Sequence, residues 1–250
     1  MYFSKFPTYE TNINNKQVTI EDIFTRVAVG KTYAEISSIL LPYLVKDGQK
    51  IEDVANEYYG SPFYHWVLVL INNITDIRAE WPITEKSLLE KIYDIYDYTV
   101  TVSSTSGFSV GDTVYSNTNA KFLVTAVTET TMNLRYQSGS VYLVAQTLLK
   151  KVNSATSTTI INVIDPTEAT HHYEEVATGY EVSYDSTIVG SIIELNPIDS
   201  LQNRLGLGEV VAISNLIYEQ RTNDAKRTIK LLNNQYLQQF VRNFDGEIGV

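Results

Sequence analysis

An α+β fold is what this 250-residue chain predicts, and three observations predict it. Apolar residues recur at helical spacing from Ile51 to Ile71. A Thr-, Ser- and Val-rich stretch over about 98–165 alternates apolar and polar residues, as short half-buried strands do. The final stretch returns to a strand-then-helix pattern in RTIKLL and NQYLQQFVRNF.

The start, FSKFPTYETNINNKQ, is polar with Pro7 and interspersed aromatics, and reads as an extended arm. In VTIEDIFTRV, Thr19 offers a helix N-cap with Asp22 three residues on, and Ile20, Ile23, Phe24 and Val27 follow at helical spacing. SSILLPYLVKDGQ reads as a strand ending in an Asp47-Gly48 turn. From there Ile51, Val54, Ala55 and Tyr58 make one helical face, and Gly60 ends that helix. Ser61-Pro62 opens the next helix, with serine as N-cap and proline at the first helical position. Its expected core stripe is Phe63, Trp66, Val67, Leu70 and Ile71, and Asn72-Asn73 stops it. Trp81-Pro82-Ile83-Thr84 is expected to be a return strand, and EKSLLEKIYDIYDY an amphipathic helix.

Glycines 107, 111 and 139 break the alternating stretch, which predicts a small antiparallel β-barrel or sandwich. HHYEEVATGYEVSYDSTIVGSIIEL then suggests hairpins, with an open loop near NPIDSLQNRLGLGEV. A strand or turn at RTIKLL and a helix near 234–244 close the chain, on Ile229, Leu232, Tyr236, Phe240, Val241 and Phe244. The expected organisation is an N-terminal arm and helix over 1–38 and a helical core unit over 39–97. A small β module over 98–165 follows, then a hairpin-rich extension over 166–250 ending in a helix.

Composition narrows the function. The net charge of −10 argues against a broad phosphate-binding face, so no nucleic-acid partner is expected. Cysteine is absent, which excludes disulfides and thiolate metal sites. The run WVLVLI at 66–71 falls well short of the ~20 residues a membrane helix needs. The start shows no basic region followed by an apolar one, so a soluble protein in a reducing compartment, without membrane contact, is expected. Eighteen tyrosines suit wide contact surfaces or a β-rich exterior.

Chemistry-bearing patterns are sparse. His171-His172-Tyr173-Glu174 has a metal flavour, but only His65 remains as a further histidine, and neighbours on a strand point to opposite faces. No nucleophile elbow, P-loop or dinucleotide fingerprint occurs, and Gly206-Leu207-Gly208 lacks a third glycine. No catalytic residue, cofactor or metal is expected. The apolar second helix poses the sharper question, because a helix without a wet face belongs in an interface or a large core.

The succession of strand, Asp-Gly turn, helix, Tyr-Gly, helix and Asn-Asn over about 40–84 resembles a LysM βααβ unit. The matching residues are Gly48, Ile51, Val54, Ala55, Tyr58, Tyr59, Gly60 and Asn72. IEDVANEYYGSPFYHWVLVLINNITD followed by WPIT resembles more closely the LysM-like baseplate wedge protein of T4-like contractile-tailed phages, the wedge subunit 53 family. Val54, Ala55, Tyr59, Gly60, Pro62, Trp66, Val67, Leu68 and Asn72 sit on that family's pattern, although His65 interrupts its Tyr-Trp pair. VTIEDIFTRV and NDAKRTIKLLNNQYLQQFVRNF are similar to flanking phrases of the family. FSVGDTVYSNTNAKF resembles a small β module recurrent in phage structural proteins.

The resemblance implies a LysM-like core with an extended arm, a β module and a strand–helix extension. It also implies a structural, non-enzymatic role in a virion tail baseplate assembled in the host cytoplasm. The implied partners are other baseplate wedge and hub proteins, with neighbouring wedges clamped into a multi-copy ring around the tail tube. Ile51, Val54, Ala55, Tyr58, Gly60, Phe63, Trp66, Val67, Leu70 and Ile71 would form the core of the LysM-like unit. Phe3, Phe6, Tyr9, Leu68, Val69 and Trp81 would face partners. The alternative is a glycan-binding LysM module, recognising N-acetylglucosamine polymers through the loops at Gly48–Ile51 and Asn72–Ile77.

Overall fold

The computed structural model describes residues 8–13, 16–21, 39–179, 181–182 and 210–247. The architecture is mixed α and β and includes a closed six-stranded barrel. The chain divides into two compact units. The first joins Met1–Thr84 to Asn223–Val250, and the second is Glu85–Thr222.

The first unit contains strands β1 (Thr8–Ile13), β2 (Lys16–Glu21) and β3 (Leu40–Leu44) and helices α1 (Ile51–Tyr59), α2 (His65–Ile71) and α3 (Ile77–Glu80). Strand β13 (Thr228–Leu232) and helix α6 (Asn234–Glu247) complete it from the far end of the sequence. The helix expected from Thr19 is corrected at its start. Residues up to Glu21 form β2, paired antiparallel with β1, and the rest of that pattern lies outside the described residues. Within the expected extended arm, Thr8–Ile13 likewise forms a strand paired antiparallel with Lys16–Glu21.

Helix α1 begins where the Lys50 amide donates to the Asp53 carboxylate at 3.0 Å. It ends at Gly60, whose φ of 77° lies in the left-handed region that a side chain would disfavour. Ser61 Oγ then accepts from the Phe63 amide, and Pro62 opens a 3-10 turn over Pro62–Tyr64 ahead of α2.

The expected return strand at Trp81–Thr84 is overturned. The strand that pairs antiparallel with β3 is β13, in register Thr228↔Leu44 to Leu232↔Leu40. Local geometry explains why 81–84 stays out of the sheet. Pro82 has no amide proton to give, and both backbone groups of Ile83 bond the Asn223 side chain, at 2.9 Å each. β3 tolerates its own proline at Pro42. Lys230, opposite it, turns its N–H and C=O to the Asn72 side chain at 2.7 and 2.9 Å, so this is a pair that exchanges no ladder bonds.

Behind this two-stranded sheet lies a core of Val45, Ile51, Val54, Ala55, Tyr59, Val67, Leu68, Trp81, Ile229, Leu231, Leu232, Leu237 and Phe240. Residues before Thr84 and after Asn223 both contribute to it.

The second unit opens with α4 (Glu85–Ile95). Strands β4 (Tyr98–Val102), β5 (Thr113–Ser116), β6 (Lys121–Val127), β7 (Thr131–Ser138), β8 (Leu148–Lys151) and β9 (Ser157–Ile164) follow. They close in the order β4-β7-β6-β5-β8-β9 and back to β4, all antiparallel. Period-two alternation puts Tyr98, Val100, Val102, Phe122, Val124, Met132, Leu134, Leu149 and Ile160 inside. Gly139, at φ 96°, is required sterically, since a Cβ there would come within 2.7 Å of the Ala120 Cα.

Beyond the barrel, β10 (Thr170–Glu175) pairs with both β11 (Glu181–Val182) and β12 (Val210–Ser214), and α5 (Asn215–Ala225) follows. The open loop expected near 196–210 lies outside the described residues, apart from its last position in β12.

Candidate partner-binding surface

The WVLVLI helix is covered by its own chain. Val67 and Leu68 are fully buried, and Trp66, Val69, Leu70 and Ile71 pack half-buried against the same core. Helix α6 meets α2 through Trp66, whose ring lies 4.6 Å from the Phe244 ring between centroids and stacks on Phe240 at 6.1 Å. The Tyr59 hydroxyl accepts the Leu232 amide at 2.9 Å, and Asn72 binds Lys230 through both of its amide atoms. The chain itself thus covers Leu68, one of the two helix positions expected to meet a partner subunit, and leaves Val69 half-buried.

Three expected positions change as a result. Leu68, expected to face a partner, is an interior residue at 0% exposure. Trp81, also expected outside, is buried, and its indole N–H donates to the Gln49 carbonyl at 2.8 Å. Phe63, expected in the core stripe, is 76% exposed. It sits in the 3-10 turn, whose residues advance about 120° each instead of 100°, so it leaves the stripe that α2 sets. The Ser61-Pro62 pair was the signal that could have revealed this.

Of the other expected core positions, Ile51, Val54 and Ala55 are buried, Tyr58 is half-buried, and Gly60 is an exposed helix cap. Phe3 and Phe6 lie outside the described residues. The Tyr9 backbone is in β1 opposite Ile20. Among the described residues, the exposed large apolar side chains of this unit are thus Phe63, Leu44, Leu41, Ile77 and Val18. Sequence periodicity did not single out Leu44, which lies on the sheet face opposite Tyr43 and Val45.

In the second unit, the strand argument against the histidine pair is corrected. A bulge between Thr170 and His172 puts both rings on one side, with His171 Nδ1 and His172 Nδ1 2.8 Å apart. His172 Nε2 meets Glu174 at 2.9 Å, and His171 stacks on Tyr218 at 3.8 Å. The Arg221 guanidinium, then His172, hold the Glu174 carboxyl below the usual range. Among the described residues no group of three or more His, Asp or Glu side chains is placed to hold a metal ion.

Buried and half-buried tyrosines carry the clearest titration behaviour. Burial, then the Asp165 carboxylate, pushes Tyr93 up to about 12. Burial, then Glu219, does the same to Tyr96. Tyr59 and Tyr98 are pushed up further, mainly by burial. A tyrosine in the unfolded chain ionises near ~10. A group raised in this way gives stability that is whole below about pH 10 and is lost as pH climbs through about 12. An alkaline titration followed by tyrosinate absorbance should therefore show a cooperative step above pH 10, coincident with loss of circular dichroism. A smooth titration of all tyrosines near 10, with the fold intact, would contradict these burial effects.

In comparison with known families, residues 1–107 match the model of the family described as base plate wedge protein 53. That stretch includes the Tyr-Gly-Ser-Pro and WVLVLI motifs from which the resemblance was drawn. No curated protein matches the chain. The glycan-binding alternative gains no support from these comparisons.

Proposed function

We propose that the chain is a structural, non-catalytic clamp in the baseplate wedge of a contractile-tailed phage, joining neighbouring wedges into the ring around the tail tube. The match of residues 1–107 to the base plate wedge family carries this reading. The first unit supports a LysM-like interpretation. It presents a strand, two helices and an antiparallel strand, although the last strand is drawn from Thr228–Leu232.

Its contacts with other wedge and hub proteins run through the N-terminal segment, including Phe3, Phe6 and Tyr9, and through Val69. The 76% exposure of Phe63 adds that residue to the contact surface. Assembly takes place in the host cytoplasm, several copies to a ring.

Mass spectrometry of purified tails, with a density map locating the chain, tests the proposal, and its absence from tails would end it. Phe63→Ala should leave stability within about 0.5 kcal/mol of the parent, because it removes no buried contact. The same variant should weaken wedge joining in an in vitro assembly assay. Unchanged joining would remove Phe63 from the contact surface.

A further inference from the structure

We infer that Glu85–Thr222 is an insertion into a unit that folds without it, and that 223–247 is the closing element of that unit. This inference rests on no reading of function.

Four observations point the same way. Strand β3 has β13 as its partner, more than 180 positions along the chain, in an unbroken register extended by Val45 N–H to Arg227 O at 2.8 Å. Among the described residues, the first core draws only on 39–84 and 229–241, and the barrel core only on 93–163. The Tyr59–Leu232, Asn72–Lys230 and Trp66–Phe244 contacts all tie the early helices to the late segment. The points where the chain leaves and re-enters the first unit lie side by side. There the Asn223 side chain, buried at 4% exposure, accepts from the Ile83 N–H and donates to the Ile83 C=O.

Adjacent ends are what a host fold needs to carry an inserted segment, because bridging them demands little of the connecting chain. The family match runs over 1–107, through α4 and β4 at the start of the second unit, and stops short of 223–247, the part that supplies the second strand and the helix carrying Phe240 and Phe244.

The full-length chain offers a direct test, because its two tryptophans, Trp66 and Trp81, both lie in the first unit. Phe122→Ala and Val124→Asp each strike a residue fully buried in the barrel. Under denaturant, the expected tryptophan-emission midpoint is unchanged in both variants. Hydrogen exchange should show peptides from β4 and β6 losing protection in Val124→Asp, with peptides from β3 and β13 as protected as in the parent. Leu232→Ala should do the reverse, moving the tryptophan midpoint while barrel peptides keep their protection. A tryptophan transition that moves in step with the barrel in Phe122→Ala, or is lost in Val124→Asp, would overturn the inference.

Discussion

Leu68→Ala is expected to lower the stability of the free, unassembled chain by about 2–5 kcal/mol, the range for truncating a fully buried leucine. Leu68 has no exposed surface and lies on the face of α2 that the first core closes over. Its loss leaves a cavity in the first core. α2 is also tied to the late segment through Asn72, which holds Lys230 of β13 and donates to the Leu68 carbonyl. Denaturation followed by tryptophan emission measures the effect directly. The size of the change separates two accounts of an all-apolar helix. If α2 were covered only by a neighbouring subunit, the free chain would lose almost nothing and the deficit would emerge only on assembly. A free chain as stable as the parent would therefore refute an interior Leu68. Trp66→Ala is expected near the lower end of about 3–5 kcal/mol, because the indole is only half-buried despite its contacts with Phe240 and Phe244.

The same helix marks how far the sequence could be read. Period 3.6 located α1 and α2, and alternation located the barrel strands, because both patterns are written in neighbouring residues. Gly60 and Ser61-Pro62 fixed the break between the helices for equally local reasons. The long-range partners had no such signature. RTIKLL was legible as a strand or turn, yet nothing in its six residues names β3 as its mate. Without that pairing, Trp81–Thr84 looked like the missing strand, and Leu68 looked like a residue waiting for another protein. The bulge at Thr170–His172 escaped for a related reason, since one extra residue reverses the facing that simple alternation assigns. The family motif was legible throughout, because it lies in the contiguous stretch from Ile51 to Thr84.

Lys91→Met should destabilise the second unit by roughly 3 kcal/mol, the low end of the cost of stranding a buried charge. The Glu219 side chain, only 6% exposed, lies 2.6 Å from the Lys91 ammonium and accepts from the Tyr96 hydroxyl at 3.1 Å. Lys91 itself is 38% exposed, so water moderates what the pair contributes and the upper end of the range does not apply. Removing the lysine leaves a carboxylate that helix α5 cannot turn into solvent, with one phenol to hold it. Replacing both partners, Lys91→Met with Glu219→Leu, removes the buried charge as well as the attraction, so much of the loss should return. Thermal unfolding of the two single variants and the double variant closes the cycle. A double variant as unstable as the sum of the singles would mean the two side chains act independently. That outcome would assign their role to separate packing of α4 and α5, and not to the ion pair that bridges 128 positions of sequence.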